Sequence, residues 1–232
     1  MILAVLFVFG IIRLSVTHAW RSRARAKRSR ELAAWAAKAR LTYQADGQAL
    51  LLEPFAALPL FHIGTKQRVT HAITGERRGL ELRCFDFRYE SGRKQKTEHE
   101  QTVVVSRSEG GSLTEFSLTP RNRWMLHLFG ESKDLPFPDD APFSKAYSLR
   151  AVDEEAGQRL FRSDVRRYFV TQPGWRIEGV GEWVVCCRIG HLCRPSELGE
   201  FLDQARAVRD LLSGGRPTGS RPLSAKGGHE GG

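Results

Sequence analysis

The chain has 232 residues, 41% of them hydrophobic and 27% charged; this admits one domain with an appendage, or two small domains, and excludes a disordered chain. Its four cysteines exclude a disulfide scaffold. The net charge of +10 is uneven: residues 1–40 carry nine Lys or Arg against the single acid Glu31, whereas residues 41–232 hold 27 basic and 25 acidic side chains. That distribution argues against a nucleic-acid-binding body and for a polybasic segment beside a membrane.

Residues 2–12 are an apolar run interrupted only by Gly10; Arg13 follows, and beyond Trp20 come Arg21, Arg23, Arg25, Lys27, Arg28 and Arg30. Eleven residues make about 17 Å of helix, short of a ~30 Å hydrocarbon core, but extended to Trp20 the run just spans it. Arg13 must then snorkel towards the basic interface, and Trp20 sits where an interfacial aromatic belongs. A cleaved signal peptide carries its charges before the apolar core, and an interfacial amphipathic helix needs a polar face that residues 2–12 lack. Residues 1–20 therefore read as a single-pass anchor. The positive-inside rule places the rest in the cytoplasm, against the inner membrane of the cell. Arg21, Arg23, Arg25, Lys27, Arg28 and Arg30 are then lipid-proximal: they attract anionic headgroups, or they serve only as a topology signal. Residues 21–42 are alanine-rich and continue as a basic helical stalk.

Residues 43–213 form the expected cytoplasmic domain. Strand signals dominate residues 48–119. In residues 80–89, Leu80, Leu82 and Cys84 point one way and Phe85, Phe87 and Tyr89 the other, as in a central strand covered on both faces. The polar connection at residues 91–96 and Gly110-Gly111 predict antiparallel neighbours throughout. Residues 120–129 read as a short helix, 135–142 as a loop and 144–150 as a strand. Asp153 starts one helix with Ala156, Leu160, Phe161, Val165, Tyr168 and Phe169 on its apolar stripe and its arginines largely off it. A hairpin follows about Gly179-Val-Gly181. A last helix begins after Pro195, with Leu198, Phe201, Leu202, Ala205, Val208, Leu211 and Leu212 on its stripe. Residues 214–232 hold seven glycines and read as a disordered tail. The class is α+β, a mainly antiparallel sheet packed by helices.

Leu52-Glu-Pro-Phe55, Phe85-Asp-Phe-Arg-Tyr89, Gln101-Thr-Val-Val104, Leu128-Phe-Gly130, Phe143-Ser-Lys-Ala-Tyr147 and Trp175-Arg-Ile-Glu-Gly179 resemble a family of uncharacterised bacterial proteins. Most of that family are single-pass membrane proteins with a small cytoplasmic domain. The resemblance covers roughly residues 50–210, implies an anchor-plus-domain architecture and transfers no site residues.

Candidate chemistry is sparse. Cys186, Cys187, His191 and Cys193 have the look of a metal cluster, but adjacent strand residues face opposite ways, and structural zinc needs four convergent ligands; buried thiols are expected, and no metal. Residues 214–221 partly mimic a phosphate loop but follow a helix and lack its Lys. Glu98-His-Glu100 reads as a solvated strand face, and Asp153-Glu-Glu155 as dipole capping. Arg121, Arg123 and Trp124 make a small basic-aromatic group suited to headgroups or a partner. Asp86, within Cys-Phe-Asp-Phe-Arg-Tyr, is the carboxylate to inspect, because a buried aspartate needs an Arg or amide partner. No catalytic residue, cofactor or nucleic-acid partner is expected. The preferred reading is a membrane-anchored, non-catalytic module that binds an unknown protein partner or scaffolds an assembly. The alternatives are a ligand-sensing domain and an enzyme with an unrecognised site.

Overall fold

The computed structural model describes residues 22–92, 95–108, 111–121 and 134–214. The anchor expected over residues 1–20, Arg21, residues 122–129 of the expected short helix and the tail beyond Gly214 lie outside the described residues; Pro120, expected to start that helix, is the last residue of a strand. Among the described residues no helix is long and apolar enough to cross a membrane.

The frame is an eight-stranded antiparallel sheet. In chain order the strands are β1 (Thr42–Asp46), β2 (Thr65–Arg77), β3 (Leu80–Ser91), β4 (Thr97–Arg107), β5 (Leu113–Pro120), β6 (Tyr147–Ala151), β7 (Trp175–Gly181) and β8 (Trp183–Arg188). In space they run β1-β2-β3-β4-β8-β7-β5-β6. Helix α1 covers residues 22–38, and α2 (Ala141–Ala146), α3 (Glu154–Leu160), α4 (Ser163–Thr171) and α5 (Leu198–Leu212) follow. The α+β class and the antiparallel, helix-packed sheet agree with the sequence.

Both faces of β3 are buried, because its alternation supplies two apolar rows. Leu82 and Cys84 enter a large core with Leu32 and Ala36 of α1, Val165 and Phe169 of α4, and the α5 stripe. Phe85, Phe87 and Tyr89 enter a second core on the opposite face. Among the described residues that second layer has no α-helix. It is closed by three short 3-10 turns, Gln48–Leu52, Pro54–Ala57 and Pro59–His62, which bring Phe55, Leu58, Leu60 and Phe61 onto β2, β3, β4 and β8. Residues 48–53 are thus a 3-10 turn, not a strand. Prolines start the second and third turns, where their missing N–H costs nothing.

Four expectations are corrected. Strand β5 does not return beside β4; Val103–Arg107 pair with Trp183–Cys187, and β5 pairs with β7 and β6. Turn length cannot reveal this, because β8 is apolar on both faces and outcompetes the local partner for the centre of the sheet. The β7–β8 turn is Gly181-Glu182, between Val180 and its partner Trp183. Gly179 instead lies inside β7, where the Phe116 ring leaves no room for a side chain.

The helix expected from Asp153 is two helices separated at Phe161–Arg162. Asp153 caps α3 by accepting from the Ala156 N–H at 2.9 Å. Gly157 lets α3 approach Ala151 and Leu135, and extended backbone at Arg162 redirects α4 so that Phe169 packs against Tyr147. Finally, α1 is no free stalk. Leu32 and Ala36 are buried in the core, with Trp35 and Ala39 packed against it; that spacing of three and four residues is an amphipathic stripe.

Candidate functional site

The same stripe, continued one turn back from Leu32, arrives at Arg28. Its guanidinium meets Asp86 of β3 in a forked pair: Nε donates to Oδ2 at 2.7 Å and Nη2 to Oδ1 at 2.8 Å. Nη1 donates to the Cys193 carbonyl at 2.8 Å. Thr102 of β4 donates to Asp86 Oδ1 at 3.0 Å and accepts from the Cys193 N–H at 2.9 Å. The Thr102 N–H in turn reaches the His191 carbonyl at 2.9 Å. One ion pair thereby joins α1, β3, β4 and the segment leading to α5. Its side chains are 15% and 10% exposed, dry enough for forked geometry to count. Burial disfavours the Arg28 cation, but the bonds and charge of Asp86 outweigh it and raise its pKa.

Beside the pair, a bulge in β2 between Thr70 and Ile73 holds His71 at φ 55°. The Tyr43 hydroxyl lies 2.9 Å from His71 Nδ1 and 3.1 Å from Ser29 Oγ, and the Tyr43 and His71 rings stack. Burial lowers the His71 pKa, while the charge of Asp86 raises it and that of Arg28 lowers it. The imidazole is therefore neutral at pH 7. Both Asp86 oxygens are occupied by Arg28 and Thr102. A carboxylate so held is a clamp and not a proton shuttle.

The remaining basic residues of the run divide sharply from Arg28. Arg23, Arg25, Lys27 and Arg30 are exposed, with Lys27 Nζ 3.8 Å from Glu31 one turn on; Arg21 lies outside the described residues. Helical phase puts Arg28 on the stripe of Leu32 and Trp35 and Lys27 off it. Asp86 offered only its place on a two-sided strand.

The thiols lie apart. Cys186 enters the α1/α5 core and Cys187 the opposite one. Burial pushes the Cys84 and Cys186 thiols well up, Cys187 up to about 12 and Cys193 to about 11, so all four are protonated and unreactive at pH 7. Among the described residues no three His, Cys, Asp or Glu side chains converge on a metal position. Arg176 and Glu178, two apart on β7 and both buried, form a second internal pair. Glu178 Oε1 accepts from Arg176 Nε at 2.8 Å, and Oε2 accepts from the Leu60 N–H at 2.9 Å, pinning the third 3-10 turn to the sheet. Nothing in the sequence pointed to this pair. Glu98 and Glu100 bind Arg88 of the neighbouring strand, and His99, on the other face, stacks on Tyr89. Arg121 pairs with Asp134; Arg123 and Trp124 lie outside the described residues.

No family model matches the chain, and no curated protein sequence matches it. Its fold is similar to that of the mycobacterial trehalose monomycolate transport factor A, with 14% sequence identity and a TM-score of 0.56 over 83% of this chain and 98% of that one. Identity at that level shows a common fold.

Proposed function

We propose that this protein is a membrane-tethered, non-catalytic module whose body stands in the cytoplasm and binds a protein partner in a transport-associated assembly. The tether is a single pass over residues 1–20, with Arg21, Arg23, Arg25, Lys27 and Arg30 at the lipid surface. The observation that carries this reading is the docking of α1. The helix that follows the apolar and basic run is locked into the core by Arg28 and Asp86, so an anchor preceding it is coupled to the body instead of hanging on a loose linker. The likeness in fold to a transport factor supports the transport-associated role. An anchor followed by a docked body is also the architecture expected from the resemblance to a family of single-pass membrane proteins. The polar clusters support a non-catalytic role, since their carboxylates and imidazole are consumed in holding elements together.

Crosslinking in intact cells, followed by capture from detergent-solubilised membranes, tests the proposal. The protein should be recovered joined to integral membrane components of a transporter. Recovery of the chain alone under the same crosslinking overturns the partner-binding role.

A further inference from the structure

The docking of α1 also settles which end of the body lies next to the preceding chain. Leu41 packs at Gly75, whose partner on β3 is Leu82, and thirteen positions earlier Arg28 reaches Asp86. Travelling back along the helix therefore means travelling from Leu82 towards Ser91. Another six residues, about 9 Å of helix, bring residue 22 past the level of Arg88, towards the β3–β4 hairpin. Strand β2 begins at that same level, with Thr65 paired to Glu90 and Arg68 to Arg88. Strand β1 stops at Asp46, opposite Thr70, and leaves residues 65–68 of β2 as an edge. An open cleft of about 440 Å³ lies there, lined by Asp46, Gln48, Lys66, Gln67 and Arg68.

The charges at this end are unequal in how they are spent. Glu98 and Glu100 are bound to Arg88, and the Asp46 side chain accepts from the Gln48 N–H at 3.0 Å. Lys66 sits 3.0 Å from Glu90 but remains 74% exposed, and such a surface pair is worth little in water. Arg23, Arg25, Arg68 and Lys96 are exposed and have no acidic partner among the described residues. They come from three separate elements, so their gathering at one end is a product of the fold.

Resting on the tether proposed above, we infer that this end is a second membrane contact: a cationic rim of Arg23, Arg25, Lys66, Arg68 and Lys96 that seats on anionic phospholipid headgroups. A polybasic surface is drawn to an anionic leaflet within about one Debye length. The rigid Arg28–Asp86 clamp holds the rim towards the bilayer from which the anchor emerges. The occupant is the lipid surface itself. The body then stands with β3 and β4 pointing at the membrane and the β2–β3 turn at Arg78-Gly79 pointing away.

The test uses the full-length chain inserted into preformed vesicles of phosphatidylcholine alone, or of phosphatidylcholine with phosphatidylglycerol. Lysines are acetylated with a water-soluble active ester and read by mass spectrometry. Lys66 and Lys96 should react about fivefold more slowly on the anionic vesicles, an effect erased by 1 M salt. Lys38, about 15 Å further along α1 from Arg28, should react equally on both. Replacing the exposed pair, Lys66→Glu with Arg68→Glu, should abolish the protection of Lys96. Equal reactivity of Lys66 and Lys96 on both vesicles, with the chain inserted in each, overturns the rim and leaves the tether standing. A chain that floats with neither vesicle overturns the tether and the rim together.

Discussion

Arg28 and Lys27 are adjacent and alike in formal charge, yet one is solvated and the other is clamped to Asp86. The difference is helical phase: Arg28 shares the face of Leu32, Trp35 and Ala39 and is carried onto the sheet with them. Removing one partner strands the other charge in a nearly dry site. Asp86→Ala or Arg28→Ala should each cost about 3 kcal/mol in urea unfolding, whereas the double replacement Arg28→Met with Asp86→Leu should cost less than the sum of its singles. Strict additivity would show that the pair is not coupled. His71 makes a second residue-scale prediction. Burial lowers its pKa in the folded state, so the unfolded chain takes up the proton first as pH falls. Its contribution is complete above about pH 6.5 and is lost as pH falls through the lowered folded value. The His71→Asn variant should show a flatter melting temperature between pH 7.5 and pH 5 than the parent protein; an unchanged slope would remove His71 from the pH response.

At the scale of elements, α1 belongs to the core. A chain beginning at residue 22 should melt cooperatively. One beginning at residue 41 removes Leu32 and Ala36 from the core they share with Ile73, Leu82 and Phe201 and leaves Asp86 without its cation. It should lose the cooperative transition by calorimetry, and retention of the parent melting temperature would contradict the docking. Strand β7 offers a second check. A Cβ at Gly179 would lie 2.3 Å from the Phe116 ring, within the rigid β5–β7 ladder. Gly179→Ala should therefore cost about 1–3 kcal/mol through overpacking, and Phe116→Leu in the same chain should restore part of it. If the second change makes matters worse by its full separate cost, the clash is not the cause.

At the scale of the molecule, the two apolar layers are closed by different means. Helices cover the face that bears α1 and α5, and three short turns, the third of them tied down by Glu178, cover part of the other. The first cover makes the body continuous with the segment that precedes it. The orientation proposed for it rests on charge: six basic residues lie between positions 21 and 30 and none before Arg13. A reporter active only in the cytosol, fused after Ser213, should be active, and a periplasm-only reporter at that place silent. Changing the exposed Arg23, Arg25, Lys27 and Arg30, together with Arg21, to Gln should scramble the orientation without unfolding the body, since Arg28 is kept. The opposite reporter pattern in the parent chain would reverse the proposed topology.

What the amino-acid order determined by itself is local. Period-two alternation placed β3 with both faces buried and set Cys186 and Cys187 on opposite sides. Period-3.6 spacing placed α5, whose expected stripe is buried throughout. These signals are legible because they depend only on how a single element presents its side chains. What the tertiary structure decided is pairing. The insertion of β8 and β7 between β4 and β5, the displacement of the β7 turn by Phe116, the partner of Asp86 58 positions away and the Arg176–Glu178 pair all rest on groups distant along the chain. Arg28 stands at the boundary. Its phase was visible in residues 28–39, but nothing in a run of like charges distinguishes the arginine that will find a buried carboxylate. That choice is made by the sheet, which leaves Asp86 beneath the helix and makes an unpaired charge there costly.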